Sequence, residues 1–336
     1  MTARQPIDEP RVEVKKQPLP KSQGKGPYKR ERSFIDFLPW VEYLDDHQAV
    51  LLEDGHSVGA VFEIDPIGTD GRSQEHLSSV RDNLEEALQD SFEEYDHAPW
   101  ILQTYTVDDT DLDSLVDEIA AYAREDARET EYTRTYLEVL KNHYDGITRE
   151  GGLFMDDTVS QTTWGGMDRR NYLVIYRKLQ KGGGRKAKLE EGDLEASLVN
   201  LNEVLEKFTH ALKPSGAKLR RLNGDQFHDW LLDFFNPGTG LFGGDRKAFL
   251  QKARTRGDSL PYGDQFAESL FYDHPRSDAE HGCWWFGESA LRCISIDGIR
   301  RRPAVGHVTG ETNRGDATNA LMDMLPPGSV FVSTIV

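Results

Sequence analysis

Residues 34–65 constrain the fold most, because three apolar runs there are separated by two acidic turns. The runs read FIDFLPWVEYL, AVLL and SVGAVFEID, and the turns fall at Asp45-Asp46 and Asp54-Gly55. An Asp-Gly pair between apolar runs is a good hairpin signal, because glycine adopts the positive φ that tight turns need. We therefore predict an opening β-meander, in which Gly59 marks a bulge or a close approach of another backbone.

Helix-like and strand-like patterns alternate after the meander. Apolar residues spaced by three and four positions predict amphipathic helices over residues 73–95, 194–212 and 225–235. Runs rich in β-branched and aromatic residues predict strands at 99–107 and 171–179, and KLRRLN is predicted as a short strand at 218–223. This order predicts an α+β fold, with mostly antiparallel sheets and packed amphipathic helices.

A further long helix is predicted over residues 111–144. Acidic residues in its first turn suit the positive end of the helix dipole, and Gly146 follows its end. Its middle, AREDARETEYTR, is so polar that we expect this stretch to project into solvent.

Weaker patterns cover the remaining segments. Residues 146–170 are rich in glycine and mark a possible sub-boundary of the domain, and QKGGGRKAKLEEGD is expected to be a flexible loop. Further predictions are strands at 283–286 and 291–296 around Gly287-Glu288, a turn at Asp297-Gly298, and a helix at 313–324. The last run, SVFVSTIV, predicts a strand with no polar terminus, which suggests that the natural polypeptide continues.

Charge is distributed unevenly along the chain. Residues 1–32 contain nine Lys/Arg and four Asp/Glu, a net charge of +5 in a chain of −18, so residues 33–336 carry −23. An acidic body repels phosphates, so we predict no direct nucleic-acid binding by residues 33–336. The Pro, Lys and Gln content of the leader, residues 1–32, favours a disordered solvated tail, and contact with anionic lipid or a partner is the alternative.

Composition excludes several protein classes. No apolar run approaches the roughly 18 residues of a membrane span, and the N-terminus lacks the apolar region of a secretory signal. Two cysteines, Cys283 and Cys293, are too few for a disulfide scaffold and fit a reducing compartment.

The sequence contains no residue pattern typical of a catalytic, nucleotide-binding or metal-binding site. Neither GGGRKAK (182–188) nor PSGAKLRR (214–221) fits the phosphate-loop pattern GxxxxGK[ST], and the ten histidines form no HExxH. His228 is interpreted as a solvated or hydrogen-bonded polar residue, and Cys283, which begins a strand-like run, as a packed thiol. We therefore predict no catalytic, cofactor-binding or metal-binding residues, although an unrecognised acidic active site stays an alternative.

The chain resembles the N-terminal region of the TraC-like conjugative-transfer ATPases, the hexameric motors of type IV secretion systems. The resemblance is carried by phrases in the family's order: FIDFLPWVEYLDDHQAVLLEDGHSVGAVFEIDPIGTDG, RRNYLVIYRKL, LNEVLEKFTHAL, GAKLRRLNGDQFHDWLLDFFNP, LRCISIDGIRRRPAVGHVTGE and PPGSVFVSTIV. They span residues 33–336, and none is a catalytic signature.

The resemblance implies an N-terminal docking domain over residues 33–336, with ATP and Mg²⁺ bound by a further ATPase domain and not by this chain. The implied partners are inner-membrane subunits of the secretion channel and neighbouring protomers of a hexamer. The implied location is cytoplasmic and peripheral on the inner membrane, where the basic leader could approach anionic lipid. The alternative is a free-standing interaction or regulatory module of a mobile element, with no motor.

Overall fold

The computed structural model describes residues 33–65, 67–68, 71–92, 98–110, 112–149, 151–155, 157, 163–179, 191–237, 246–253, 255–256, 266–296, 325 and 328–336. Its helices are α1 (Gln74–Ser91), α2 (Asp113–Tyr122), α3 (Glu125–Arg128), α4 (Glu131–Ile147), α5 (Glu191–Leu212), α6 (Gly224–Phe235) and α7 (Arg246–Lys252). Its strands are β1 (Trp40–Leu44), β2 (Ala49–Leu52), β3 (Val58–Asp65), β4 (Trp100–Asp109), β5 (Phe154–Met155), β6 (Thr163–Trp164), β7 (Asp168–Arg177), β8 (Lys218–Arg221), β9 (Arg276–Asp278), β10 (Cys283–Phe286), β11 (Ser289–Leu291) and β12 (Val330–Ile335).

A seven-stranded antiparallel sheet organises these elements, with the strand order β1-β2-β3-β7-β4-β12. Strand β3 pairs with β2 at Val58 and Gly59 and with β8 over residues 62–65, so β8 continues the same side of β3. The remaining strands form a three-stranded sheet, β11-β10-β9, and a two-stranded pair, β5-β6. The predicted α+β class with antiparallel sheets is confirmed.

The predicted opening meander is also confirmed, as β1, β2 and β3 pair in sequence. Gly55 has a φ of 76° in the turn before β3, and Oδ1 of Asp54 accepts hydrogen bonds from the backbone N–H groups of His56 and Ser57. The other predicted turn is a 3-10 turn at Asp45–His47. Local side-chain chemistry therefore fixes the Asp54-Gly55 turn, whereas the turn at Asp45–His47 is closed by the backbone bond from Gln48 to Asp45.

Gly59 is a point of close backbone approach, one of the two roles predicted for it. A Cβ at this position would lie 2.8 Å from Cβ of Tyr176 and 3.0 Å from the carbonyl oxygen of Ile175 on β7. Both are closer than ordinary van der Waals contact, so only glycine allows β3 and β7 to pair at this register.

The sheet is buried on both faces because successive side chains of a strand point to opposite sides. On β3, Ala60 and Phe62 belong to one core cluster and Val61 to the other. The first cluster is completed by α5, through Leu201 and Leu205 among others, with α1 packed beside it. The second cluster contains α6 and the three-stranded sheet, so helices cover the two faces from different parts of the chain.

Capping residues define the limits of α6, as the sequence predicted. Asn223 accepts a hydrogen bond from the backbone of Gln226, whose side chain accepts one from the backbone of Asn223, which is a capping box. Asn236 ends the helix and is 5% exposed. Its Nδ2 donates to the carbonyl oxygens of Leu232 and Leu270.

The single long helix predicted over residues 111–144 is wrong. Ala123 and Arg124 have extended backbone, with ψ of 140° and 145°, and divide the region into α2, α3 and α4. Thr130 starts α4 as its N-cap, with Oγ1 accepting from the N–H of Thr133. The polar middle lacks apolar residues that would hold one straight helix against a core, and the Thr130 cap begins a new helix after it.

The predicted strand at 291–296 is also wrong in position, since β11 is Ser289–Leu291. Gly287, with a φ of 59°, forms the turn after β10, and Phe286 pairs directly with Ser289. A two-residue turn fixes the register at once, so the strand begins earlier than its composition indicated.

The remaining predictions concern the last strand and segments that lie partly or wholly outside the described residues. Strand β12 pairs antiparallel with β4, from Val330↔Val107 to Ile335↔Leu102, which confirms the final strand. The predicted flexible loop falls largely outside the described residues. The turn at Asp297-Gly298, the helix at 313–324 and the leader lie outside them entirely.

Candidate functional site

The main departure from a compact sheet-and-helix fold lies between β4 and β7. These strands are antiparallel neighbours, paired as far as Asp109↔Asp168, so residues 110–167 connect two adjacent strands. We call this connection the excursion. Most hairpin connections have two to five residues, and much longer ones are commonly functional. A functional site is therefore expected in the excursion.

Ion pairs hold the base of the excursion. Arg169 contacts Asp108 through Nε at 2.7 Å and Nη2 at 3.1 Å, and both side chains are 13% exposed. Nε of Arg170 lies 3.3 Å from Oδ2 of Asp109 and 3.4 Å from Oδ2 of Asp168. Partly buried bidentate pairs of this kind fix geometry, so the excursion leaves the sheet at a defined position.

Within the excursion, α4 packs through one face. That face is formed by the half-buried residues Thr133, Leu137, Leu140, Tyr144 and Ile147. Oγ1 of Thr133 donates to the carbonyl oxygen of Ala127 in α3, and Nζ of Lys141 lies 3.1 Å from Asp113 in α2. The three helices thus form one folded unit.

A second face of α4 is apolar and exposed. It consists of Tyr132, Tyr136, Val139 and His143, which we call the α4 stripe. The exposed fractions of the first three are 83%, 51% and 62%. Large side chains this exposed, repeated on one helix face, are typical of protein-interaction sites.

A second group of exposed apolar residues lies beyond α4, at Leu153, Phe154 and Met155. This segment, which includes β5, joins α4 through glycines. The N–H of Gly166 donates to the carbonyl oxygen of Ile147, and a Cβ on Gly166 would lie 2.7 Å from Cδ1 of Ile147. The excursion thus presents two apolar groups on one unit tied to the sheet.

Asp54, His56 and Ser57 bring the three residue types of a hydrolase triad together, but their geometry is structural. Ser57 is fully buried, and its Oγ donates to Oδ2 of Asp54 at 2.5 Å and accepts from the N–H of Leu179. Nδ1 of His56 lies 3.0 Å from the carbonyl oxygen of Asp54. Since the hydroxyl donates to the carboxylate and not to the imidazole, this set stabilises a turn and lacks the triad arrangement.

The residues singled out in the sequence are also used structurally. His228 is 1% exposed, with Nε2 3.1 Å from Oγ of Ser269, which confirms the interpretation of a hydrogen-bonded histidine. Cys283 is half-buried in β10. In PSGAKLRR, Oγ of Ser215 donates to the carbonyl oxygen of Leu212, and Arg221 donates to the carbonyl oxygen of Gln48. The other candidate loop, 182–188, lies outside the described residues.

Among the described residues, no group of three or more His, Cys, Asp and Glu side chains is arranged to hold a metal ion. The excursion carries an exposed apolar surface, a feature that is typical of protein-interaction sites.

The comparison with protein families agrees with the resemblance found in the sequence. A family model described as TraC protein, of F-type IV secretion, matches residues 34–336. The chain belongs to the TraC family. No curated protein matches it. The matched range begins at the 3-10 turn before β1 and ends after β12, so the family match includes the meander, the excursion and the last strand.

In the described part of this TraC-family chain, no helix is long and apolar enough to cross a membrane. The α4 stripe was not predicted from the sequence, which indicated only that the polar middle of residues 111–144 projects into solvent. The signal was present in the spacing: positions 132, 136, 139 and 143 run beside the packed series 133, 137, 140, 144 and 147. A helix with two neighbouring apolar series has one face more than its own packing needs.

Proposed function

We propose that this chain is the N-terminal docking platform of a TraC-family conjugative-transfer ATPase. The platform attaches the motor to inner-membrane subunits of a type IV secretion channel and to neighbouring protomers of a hexamer. ATP and Mg²⁺ are bound by a separate ATPase domain of the parent protein, and the platform is peripheral on the cytoplasmic face of the inner membrane.

The exposed apolar surface of the excursion is the observation that supports this proposal most. Leu153, Phe154 and Met155 are 44%, 56% and 52% exposed and follow a helix whose stripe is exposed as well. Removing such side chains from water is the main favourable term of protein association. Two separate apolar groups allow one excursion to contact two kinds of neighbour.

The rigid base of the excursion supports a mechanical role. A motor transmits force to its anchor only when the contact surface is fixed to the fold. The pairs Arg169–Asp108 and Arg170–Asp109 fasten the excursion to β4 and β7, which lie in the middle of the sheet order. The excursion is thus held in a fixed position on the sheet.

The proposal is tested by co-sedimentation of the full chain with inner-membrane vesicles from donor cells, prepared with and without the secretion channel. We expect binding only to vesicles that contain the channel. The triple variant Leu153→Ser, Phe154→Ser, Met155→Ser should bind about tenfold more weakly, because a small apolar cluster carries much of the affinity of such contacts.

The matched control removes equally exposed apolar side chains outside the excursion. Ile294→Ser with Ile296→Ser fits this purpose, since these residues are 80% and 61% exposed. The control should bind as the unchanged chain does. Equal binding to vesicles with and without the channel would contradict the proposal.

A further inference from the structure

The α4 stripe has the spacing of a helix-pairing seam. Its positions, 132, 136, 139 and 143, are separated by four, three and four residues. At 100° per residue they fall within an arc of about 60°. Apolar positions that alternate in steps of three and four are those through which two helices pack side by side.

The surroundings of the stripe show what kind of partner fits. No residue of the stripe is an acid, a lysine or an arginine, and its open flank carries the uncharged residues Thr135 and Asn142, with one acid, Glu131, at its edge in the first turn. The charged side chains Arg134, Glu138, Lys141 and Asp145 lie on the opposite side of α4. An anionic lipid surface would find no matching charge along this seam, and a cationic helix would find only Glu131 at one end of it.

The spacing is the same in both directions, so an antiparallel copy of α4 fits it in register. Position 136 then faces 139 of the other helix, and 132 faces 143. Each tyrosine meets a smaller side chain, Val139 or His143, so large and small residues alternate along the seam. Such a contact is isologous, since each copy offers the same patch to the other.

We propose that the α4 stripe binds the α4 stripe of a second copy of this chain, as an antiparallel helix pair about a twofold axis. This inference deepens the proposed function and rests on it in one respect: it assigns the stripe to the joining of protomers in twofold pairs within the larger assembly, and leaves Leu153, Phe154 and Met155 for membrane subunits.

The pairing is weak in the isolated chain. A seam of four positions is small beside the roughly 1,200 Å² that stable complexes bury, so we expect a dissociation constant on the order of tens of micromolar. In a larger assembly the local concentration of neighbouring copies offsets this weakness.

Salt gives the first test, by sedimentation equilibrium of the full chain at roughly 0.05 and 0.5 M NaCl. Two copies of net charge −18 repel each other, and the added salt shortens the screening length from about 14 Å to about 4 Å. Pairing through an uncharged seam should therefore become at least about threefold tighter. A dimer that weakens with salt would overturn the proposal, because it would show an interface of opposite charges.

Charge exchange gives the second test and fixes the geometry. Tyr136→Glu alone should weaken self-association at least about tenfold, because it places a carboxylate against Val139 of the other copy. A mixture of the Tyr136→Glu chain with a Val139→Lys chain should form a mixed dimer, because the new charges then face each other. No rescue, or equal rescue by Tyr136→Lys, would contradict the antiparallel register.

Val199→Lys is the matched control, since Val199 is an exposed valine on α5, at 53%. It should leave the unchanged chain's dimer intact and should not rescue Tyr136→Glu. Absence of self-association up to several hundred micromolar would overturn this inference alone. Vesicle binding would still report on the proposed function, so the two failures can be told apart.

Discussion

Asp109 and Asp168 lie directly opposite each other across β4 and β7, at the base of the excursion. Like charges at one cross-strand pair destabilise a sheet. Arg170 is the residue that joins them, with Nε within 3.4 Å of a carboxylate oxygen of each. Burial acts to lower the pKa of Arg170, but Asp109, Tyr172 and Asp168 outweigh it and hold the pKa above its ordinary value. The cation is therefore a structural part of the base.

Replacing this cation should loosen the excursion. We expect Arg170→Met to lower the free energy of unfolding by about 1–3 kcal/mol, because two carboxylates are left facing each other in a half-buried position. Urea denaturation measures the change. Adding Asp168→Asn should recover part of the loss. Arg220→Met, which removes the exposed ion pair with Glu63, should cost less than about 0.5 kcal/mol.

Gly59 should tolerate no side chain. Gly59→Ala places a Cβ 2.8 Å from Cβ of Tyr176, and relief of this contact requires β3 and β7 to separate. We expect a loss of about 1–3 kcal/mol in unfolding free energy, measured by thermal or urea denaturation. Gly68→Ala is the control, because no atom lies within 4 Å of a Cβ there. Equal melting temperatures for the two variants would show that the strands adjust freely.

Asp54 should make folding stability depend on acid pH. Burial acts to raise the pKa of Asp54, but hydrogen bonds from Ser57 and His56 outweigh it, so the pKa lies below its ordinary value. Because the pKa of Asp54 is lower in the folded state than in the unfolded chain, its carboxylate stabilises the fold above the unfolded pKa of about 4. This stabilisation is lost as the pH falls through the pKa of the folded state.

Asp54→Ala should therefore be destabilising by about 1–3 kcal/mol at neutral pH, as hydrogen bonds to a charged acceptor are lost. The difference from the unchanged chain should shrink as the pH falls below about 4. Denaturation curves at several pH values measure it. Asp46→Ala, an exposed change in the preceding turn, should show little effect at either pH. A pH-independent difference would rule out the carboxylate as its cause.

Asn236 should be required for the junction of α6 with residues 270–272. Its Nδ2 donates to Leu232 at 2.7 Å and to Leu270 at 2.8 Å, and its Oδ1 accepts from the N–H of Tyr272. Asn236→Ala removes three hydrogen bonds from a buried site and should cost about 2–3 kcal/mol. Asn142→Ala, at an exposed helical position, should stay within about 0.5 kcal/mol.

The isolated chain should not bind ATP. Its sequence contains no GxxxxGK[ST] loop, whose successive amides and lysine hold the phosphates. Titration calorimetry with Mg-ATP should show no heat of binding, and no phosphate should be released. A dissociation constant of millimolar or tighter would contradict this expectation and would revive the alternative of an unrecognised active site.

Residues with strong local signals were predicted correctly. Asp54-Gly55 fixes a turn through its own hydrogen bonds, and the helix predicted over residues 225–235 corresponds to α6. The close backbone approach predicted at Gly59 is present, because a glycine inside an apolar run leaves room for a neighbouring strand. Such features depend on neighbours in sequence, so the sequence alone reveals them.

The excursion shows where local patterns are insufficient. The sequence of the excursion predicted a helix, but it did not predict the break at Ala123 or the exposure of Tyr132 and Val139. Whether an apolar helix residue is packed or exposed depends on which surface the rest of the fold brings to it. The spacing of the stripe was visible, but nothing local separated it from the packed face beside it.

The sequence by itself determined the class of fold, the opening meander, the position of α6 and the order of family phrases. Only the tertiary structure decided that β7 lies between β3 and β4 and that β12 pairs with β4 more than 220 residues away in sequence. The physical reason is that turns and caps are formed by adjacent residues, whereas strand order depends on which faces of distant segments bury each other. The α4 stripe and residues 153–155 are exposed for the same reason, because β4 and β7 pair to their ends and the described part of the excursion lies outside their sheet.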